Sequence, residues 1–235
     1  MRVVDLGQVG FQDALDIQMD AVEAVRAGGE EHLFLLEHTP VVTFGRHGGE
    51  EHLLLPPDAM RRQGIEVVKT SRGGNITCHF PGQVVAYPVM RLAGRPGGLH
   101  RYFHDLEQVV IDTLETFGLP GERSPGRPGV WSGGRKVASL GIGVKRWVSY
   151  HGLALNVLAD LSLFQRITAC GLPDVEMTSM ALELARRGLA PDAADIPGVK
   201  RALVNAFDAR FPCGSNGTGS TGNDGSDTPC GSGLA

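Results

Sequence analysis

Four segments of this chain carry residue types that can do covalent or acid–base chemistry. Cys170 stands in Thr168-Ala169-Cys170-Gly171-Leu172-Pro173, where glycine and proline interrupt regular structure and leave a side chain accessible. A thiol so placed can be a nucleophile once ionised, although a free thiol is mostly protonated at neutral pH and most cysteines are small buried hydrophobes. Lys136 opens Gly134-Arg135-Lys136-Val137-Ala138-Ser139-Leu140-Gly141-Ile142-Gly143-Val144. As a strand, this segment puts Lys136 on one face with Leu140, Ile142 and Val144, and leaves Ser139, Gly141 and Gly143 as a flat, open opposite face. A lysine on an apolar face either emerges at the strand end or is partly desolvated, and only the second kind makes a useful base.

The third segment, residues 71–83, holds Arg72, Gly73, Gly74, Asn75, Ile76, Thr77, Cys78, His79, Phe80, Pro81, Gly82 and Gln83. Paired glycines let the backbone turn sharply and approach a ligand, and Arg72 can add a charge-assisted contact. Neither the phosphate-loop spacing nor a dinucleotide-binding glycine pattern is present, so a polar turn between strands is the competing reading. The fourth segment is Tyr150-His151-Gly152-Leu153-Ala154-Leu155-Asn156-Val157. Simple alternation sets His151 with Leu153, Leu155 and Val157, with Gly152 and Ala154 giving room on the other side. A lone histidine on an apolar face is more often a satisfied core residue than a base. Cys78, His79, His151 and Cys170 could in principle hold a metal, but no ligand spacing supports it, and neither metal nor cofactor is expected.

These segments need a scaffold, and the hydrophobic periodicities supply one. Phe11, Leu15, Gln18 or Met19, Val22 and Val25 trace a helical face that ends at Gly28-Gly29. Residues 32–38 and 41–45 read as strands around a turn at Thr39-Pro40, residues 58–63 as a short helix closed by Gly64, and residues 65–69 and 84–90 as strands. Leu99, Tyr102, Phe103, Leu106, Val110, Leu114 and Phe117 form the clearest amphipathic helix, stopped by Gly118-Leu119-Pro120. Two strands follow at 136–144 and 150–157, then helices near 179–187 and 198–211. Hairpin-like neighbours plus separated helices favour an α+β fold with mixed sheets and packed helices over a doubly wound sheet.

The chain has 235 residues, enough for one sizeable core. A formal charge of −4 gives no global case for nucleic-acid binding. No apolar run reaches membrane-spanning length, and the first residues lack the pattern of a secretory signal. Four scattered cysteines without paired spacing point to reduced thiols in a cytoplasmic protein. Residues 212–235 are mainly Gly, Ser, Thr, Asn and Asp, so the expectation is a folded domain over 1–211 and a disordered tail that carries Cys213 and Cys230.

Taken together, the motifs resemble the lipoyl(octanoyl) transferase family. The resemblance begins at Glu37-His38-Thr39-Pro40-Val41-Val42-Thr43-Phe44-Gly45-Arg46. It continues through Arg72-Gly73-Gly74, Thr77, His79 and Pro81-Gly82-Gln83, then Lys136, Ala138-Ser139 and Gly141, then residues 151–156 and Cys170-Gly171-Leu172. It implies a fold like that of biotin and lipoate protein ligases, and transfer of an octanoyl (or lipoyl) group without ATP. It implies Cys170 as the acyl-carrying nucleophile with Lys136 as its base, and an acyl site at Arg72 to His79, Ser139 to Gly141 and Gly152 to Ala154, with His79 and His151 shaping or polarising the slot. Octanoyl-acyl carrier protein would be the donor. Lipoyl domains of 2-oxoacid dehydrogenases and the glycine cleavage H protein would be the acceptors, and the enzyme would act as a monomer.

Backbone N–H groups near Cys170 and Gly171 would serve the oxyanion, and a basic rim of Arg46, Arg72, Lys145 and Arg146 would meet the acidic carrier protein. Cys78, Phe80 and Ala169 depart from the family pattern and bear on acyl-length preference. Two other readings remain open from the residues. One is an ATP-dependent ligase that would leave Cys170 without a task. The other is a non-catalytic protein that binds acyl carriers or lipoyl domains.

Overall fold

The computed structural model describes residues 1–172 and 174–212. The expected tail from 213 onwards, with Cys213 and Cys230, lies outside the described residues. Among the described residues ten strands and five α-helices follow one another as β1 (Arg2–Val9), α1 (Phe11–Arg26), β2 (His32–His38), β3 (Val41–Phe44), α2 (Pro57–Arg62), β4 (Glu66–Lys69), β5 (Ile76–His79), β6 (Gln83–Val89), α3 (Gly98–Thr116), β7 (Glu122–Ser124), β8 (Arg127–Ser132), β9 (Arg135–Lys145), β10 (Val148–Asn156), α4 (Met180–Arg186) and α5 (Ile196–Arg210). Short 3-10 turns at Glu50–His52, Ser162–Arg166, Ala169–Gly171 and Pro191–Ala193 lie between them.

The strands form two mixed sheets. The larger has the order β1-β2-β6-β10-β9-β8-β7 and the smaller β4-β3-β5. β1 and β2 run parallel, as do β3 and β4, and the remaining pairs are antiparallel. The larger sheet is covered on both faces, which is why β6 reads as an unbroken apolar run rather than an alternation. On one face Leu33, Leu35, Val84, Ala86, Leu153 and Leu155 meet Leu106, Val110 and Leu114 of α3 and Val199, Leu203 and Phe207 of α5. On the other, Phe34, Leu36, Val85, Tyr87 and Ala154 meet Ala14, Ala21, Val22 and Val25 of α1. A third cluster joins the smaller sheet to α2 and the 3-10 turns through Val42, Phe44, Met60, Ile76, Cys78, Phe164 and Ile167.

Helix ends follow their sequence signals. Gly118, at φ +71, closes α3 with Leu119 N–H donating to Leu114 O and Gly118 N–H to Glu115 O, as a glycine just past a helix end permits. Ser179 caps α4, and the Asp195 carboxylate accepts from Gly198 N–H at the start of α5. The clearest departure concerns the strands around Thr39-Pro40. They are not a hairpin: β2 joins the larger sheet and β3 the smaller, so that turn carries the chain between sheets. β1, β7 and β8 were also not marked by periodicity, because glycine and charge interrupt them, and β5 is a four-residue strand too short to show a period.

Two substitutions separate packing from capping. Phe207 is fully buried against Phe211, and Phe207→Ala lowers unfolding free energy by about 3–5 kcal/mol, whereas Asp195→Ala costs about 1 kcal/mol. Urea titration of both variants checks this. Equal losses would mean that α5 does not anchor the core.

Candidate active site

Lys136 and Cys170 arrive from different parts of the chain and meet. The Lys136 Nζ lies 3.1 Å from Cys170 Sγ and donates to Pro128 O at 2.7 Å. Its side chain is 5% exposed, and its third direction faces the Trp131 ring at 5.9 Å. Gly129 makes this passage possible: a Cβ there would stand 2.6 Å from both Lys136 Cε and Ala138 O. The Lys136 backbone is fixed by the segment that leads from Cys170 to α4, since Lys136 N–H donates to Glu176 O and Thr178 N–H to Lys136 O, both at 2.9 Å.

Cys170 sits in the 3-10 turn Ala169–Gly171 with a left-handed backbone, φ 59, which turns its side chain out of the turn. Thr168 N–H donates to His52 O, and Asn75 Nδ2 lies 3.2 Å from His52 Nε2, so three loops hold the thiol in place. Gly171 N–H is committed to Thr168 O within the turn and is not available to an oxyanion, contrary to the sequence reading. The Cys78 thiol is different in kind. It is fully buried in the smaller-sheet cluster, and burial pushes its pKa well up, so it stays a protonated, apolar filler.

Cys170 and Lys136 line a cavity of about 260 Å³. Its walls contain Arg72, Gly74, Asn75, Ile76, Thr77, His79, Ser139, Leu140, Gly141, His151, Gly152, Leu153 and Ala154. Two of the expected residues do not line it: Cys78 points into the core, and Gly73 lies behind the wall with its N–H donating to Ile142 O. The small residues explain the hollow. Ser139 pairs with Ala154 and Gly141 with Gly152 across β9 and β10, while a Cβ on Gly152 would sit 2.2 Å from Ala86 O.

A family profile described as lipoyl protein ligase A/B catalytic domain matches residues 11–208. The octanoyltransferase of Nitratidesulfovibrio vulgaris (strain DSM 19637 / Miyazaki F) is 55% identical over 211 residues, covering 90% of this chain and 94% of that one. The octanoyltransferase of Maridesulfovibrio salexigens is 50% identical over 187 residues, covering 79% and 87%. The chain belongs to the lipoyl protein ligase A/B family. It is an acyltransferase of the octanoyltransferase branch. A lipoate protein ligase from T. acidophilum with bound lipoic acid shares the fold at TM-score 0.68 and 18% identity, covering 89% of this chain and 85% of that one. A biotin protein ligase from Aquifex aeolicus has a TM-score of 0.51 at 10% identity, covering 89% and 68%.

In this lipoyl protein ligase A/B member, the deep end of the cavity is polar but carries one charge. Arg72, 7% exposed, donates to Thr43 O at 2.7 Å, to Thr43 Oγ1 and to Gly73 O. Burial lowers its pKa to about 10, opposed by Tyr87 and Cys170, so it remains a cation. It is therefore not part of a basic rim, and Lys145 of that expected rim is paired with Glu23 at 3.0 Å. Around Arg72 three histidines are held neutral, chiefly by burial: His38 to about 4, His151 to about 3, and His79 well below its ordinary value.

Backbone carbonyls fix the ring protons of two of them. Val9 O must accept, so His38 Nδ1 donates and its Nε2 accepts from Tyr87 Oη at 2.8 Å. Thr178 O must accept from Asn156 Nδ2, which makes Asn156 Oδ1 the acceptor for Gln83 Nε2 and Gln83 Oε1 the acceptor for His79 Nδ1. His79 therefore presents a bare Nε2 lone pair. The same chain ends at Thr178, which braces Lys136, so the cavity floor and the lysine strand share one network.

His151 does not follow alternation. Its φ of 55 swings the ring away from Leu153 and Leu155 to the α1 face, where it stacks on Phe11 at 6.2 Å and meets Tyr87 edge-on at 6.0 Å. Phe11, Tyr87, Pro128, Gly129 and Trp131 were not marked by the sequence as site residues, because nothing in their types or spacing distinguishes them from core and turn residues. Gln83 and Asn156 belong to quoted motifs, and their polar character within apolar strands was the available signal.

Two predictions follow from this geometry. Neutral His38 and His151 have folded pKa values below the unfolded value near 6.5, so the unfolded chain binds protons first as pH falls. Stability is then full above about pH 6.5 and falls towards pH 4, by roughly 3 kcal/mol from His38 alone. Urea midpoints between pH 7.5 and 4.5 read this, and a flat profile would contradict the burial of neutral rings. Gly129→Ala displaces the lysine, so acyl transfer falls at least tenfold, by about 1.4 kcal/mol in barrier, while far-ultraviolet dichroism stays unchanged; full activity would show that the Lys136 path tolerates a methyl.

Proposed function

We propose that this chain transfers an octanoyl group from acyl carrier protein to a lysine of lipoyl domains through a thioester on Cys170, with Lys136 as base. The observation that carries the reading is the 3.1 Å contact of a buried ammonium with the one thiol facing an apolar cavity, among the described residues. A thiol attacks acyl groups once it has given up its proton, and Lys136 Nζ is the group in contact to take it.

In the first step the Cys170 sulfur bonds to the donor's carbonyl carbon, the bond from that carbon to the pantetheine sulfur breaks, and the thiol proton passes by way of Lys136 to the departing thiolate. The group stays a thioester, so no ATP is consumed. In the second step the acceptor lysine, as a free amine, bonds to the same carbon, the Cys170 sulfur leaves, and Lys136 takes the amine proton. Ser139 Oγ, buried without a hydrogen-bond partner in the wall of the same cavity, would donate to the developing oxyanion in both steps. About six buried methylenes at roughly 0.8 kcal/mol each give up to about 5 kcal/mol of tail binding.

The catalytic unit in this reading is residues 1–211, acting as a cytoplasmic monomer. The lipoyl acceptors are those of 2-oxoacid dehydrogenases and the glycine cleavage H protein, and the carrier protein meets the exposed Arg46. Among the described residues no helix is long and apolar enough to cross a membrane.

Intact mass spectrometry tests the order of events. Octanoyl-acyl carrier protein adds one octanoyl mass to Cys170, and a lipoyl domain then discharges it without ATP. Cys170→Ala abolishes both, and Lys136→Met lowers transfer by about 10²–10⁴-fold. Undiminished transfer by Cys170→Ala, or label on Cys78, would overturn the thioester assignment, and a requirement for ATP would favour the ligase reading.

A further inference from the structure

The deep end of the acyl slot contains a polar atom that the fold leaves unused. His151 is 2% exposed, lines the cavity, and its Nε2 is buried with no hydrogen-bond partner. A polar atom so buried costs free energy unless something meets it. The ring is also held there against local preference. His151 is a non-glycine residue at φ 55 in the middle of a strand, and its N–H is taken by Gln18 Oε1, a buried side chain on α1. Strain of this kind persists where the surroundings over-determine it and gathers at ligand sites. Neither a packing role nor a hydrogen bond within the fold explains why a histidine rather than an apolar ring sits between Phe11 and Tyr87.

The sheet register gives its depth. Ala138 stands opposite Leu155, Ser139 opposite Ala154, Gly141 opposite Gly152, and Ile142 opposite His151. Lys136 is six residues from Ile142, an upper bound of roughly 20 Å along the strand at about 3.4 Å per residue, and its side chain and the thiol shorten that span. Cys170, these small residues and His151 line one cavity, so a tail anchored at Cys170 runs past the small residues towards His151.

Resting on the acyl-enzyme reading above, we propose that His151 is a specificity determinant that recognises a hydroxyl at the distal end of the acyl chain, so that the enzyme also transfers ω-hydroxylated medium-chain groups. A hydroxyl both donates and accepts, so it pairs with Nε2 whichever ring nitrogen carries the proton. Burial keeps the ring neutral, so no counter-charge is needed.

The test compares thioesters on acyl carrier protein that carry octanoyl, 8-hydroxyoctanoyl and nonanoyl. The last two have the same number of heavy atoms, so their ratio reads polarity at fixed length. In the native enzyme, kcat/KM for 8-hydroxyoctanoyl exceeds that for nonanoyl about tenfold, the worth of one buried hydrogen bond. In His151→Phe this preference is lost or reversed. His151→Asn serves as a second variant, since asparagine tolerates the left-handed backbone while withdrawing the ring. A native enzyme that prefers nonanoyl, or variants that leave the ratio unchanged, would overturn the proposal and leave Nε2 to bound water. The octanoyl mass on Cys170 is a separate readout, so failure of the underlying reading shows as an unlabelled Cys170, whatever the ratio between chains.

Discussion

Everything in the site depends on one constraint: a lysine rooted in a strand and a cysteine rooted in a loop must stay within 3.1 Å of each other although they are 34 residues apart. A cation desolvated to 5% exposure is costly unless its donors are used, and here Pro128 O, the thiol and the Trp131 ring share it. The segment after Cys170 then runs alongside β9 and exchanges backbone hydrogen bonds on both sides of Lys136. The loop that carries Cys170 is thus continuous with the segment that braces Lys136. Motion of one is resisted by the other, and this is the positional economy that a two-residue centre needs.

Behind this pair, polarity is arranged so that the slot remains hospitable to hydrocarbon. The buried carboxylate Glu183 is kept away from the cavity, and although burial pushes its pKa up, hydrogen bonds from Arg135, Thr178 and Arg186 hold it below the ordinary value. Through Thr178 it supports the same network that orients Gln83 and His79. Arg72 is satisfied by the Thr43 carbonyl and hydroxyl instead of a counter-ion, so the charge it brings to the cavity wall is shared with the smaller sheet. Neutral histidines surround it because a second cation in that space would have neither water nor anion to meet.

The sequence made the ends of this arrangement visible and hid its middle. Helix faces such as Leu106, Val110 and Leu114, and the small residues Ser139, Gly141, Gly152 and Ala154, announce themselves because burial and free space are properties of residue type and period. Lys136 and Cys170 could be named together only through a family resemblance, since spacing along a chain says nothing about a contact that crosses from a strand to a loop. Pro128 acts through its carbonyl, which every residue owns, and Gly129 through the absence of a side chain. The separation of β2 from β3 was hidden for a related reason: the turn at Thr39-Pro40 is locally the same whether the second strand pairs with the first or departs to another sheet. His151 was assigned to the wrong face because alternation presumes extended backbone, and a single left-handed residue reverses it.

That reversal belongs to a pattern. Four non-glycine residues adopt left-handed backbone among the described residues: Arg146, Trp147, His151 and Cys170. The first two form the tight connection between β9 and β10, where a two-residue hairpin turn matches strand twist only with positive φ at both positions. No turn requires His151, which lies inside β10, and a 3-10 turn would ordinarily leave Cys170 right-handed. These two are the residues whose side chains must leave the path their backbone would give them, one to reach the floor of the cavity and one to reach its entrance. Each is held by a neighbour from elsewhere, Gln18 of α1 for His151 and the loops bearing His52 and Asn75 for the Cys170 turn. The fold therefore fixes the two ends of the slot by the same device, a locally unfavourable backbone stabilised by a distant hydrogen bond, and the length between those ends is set by the register of β9 against β10.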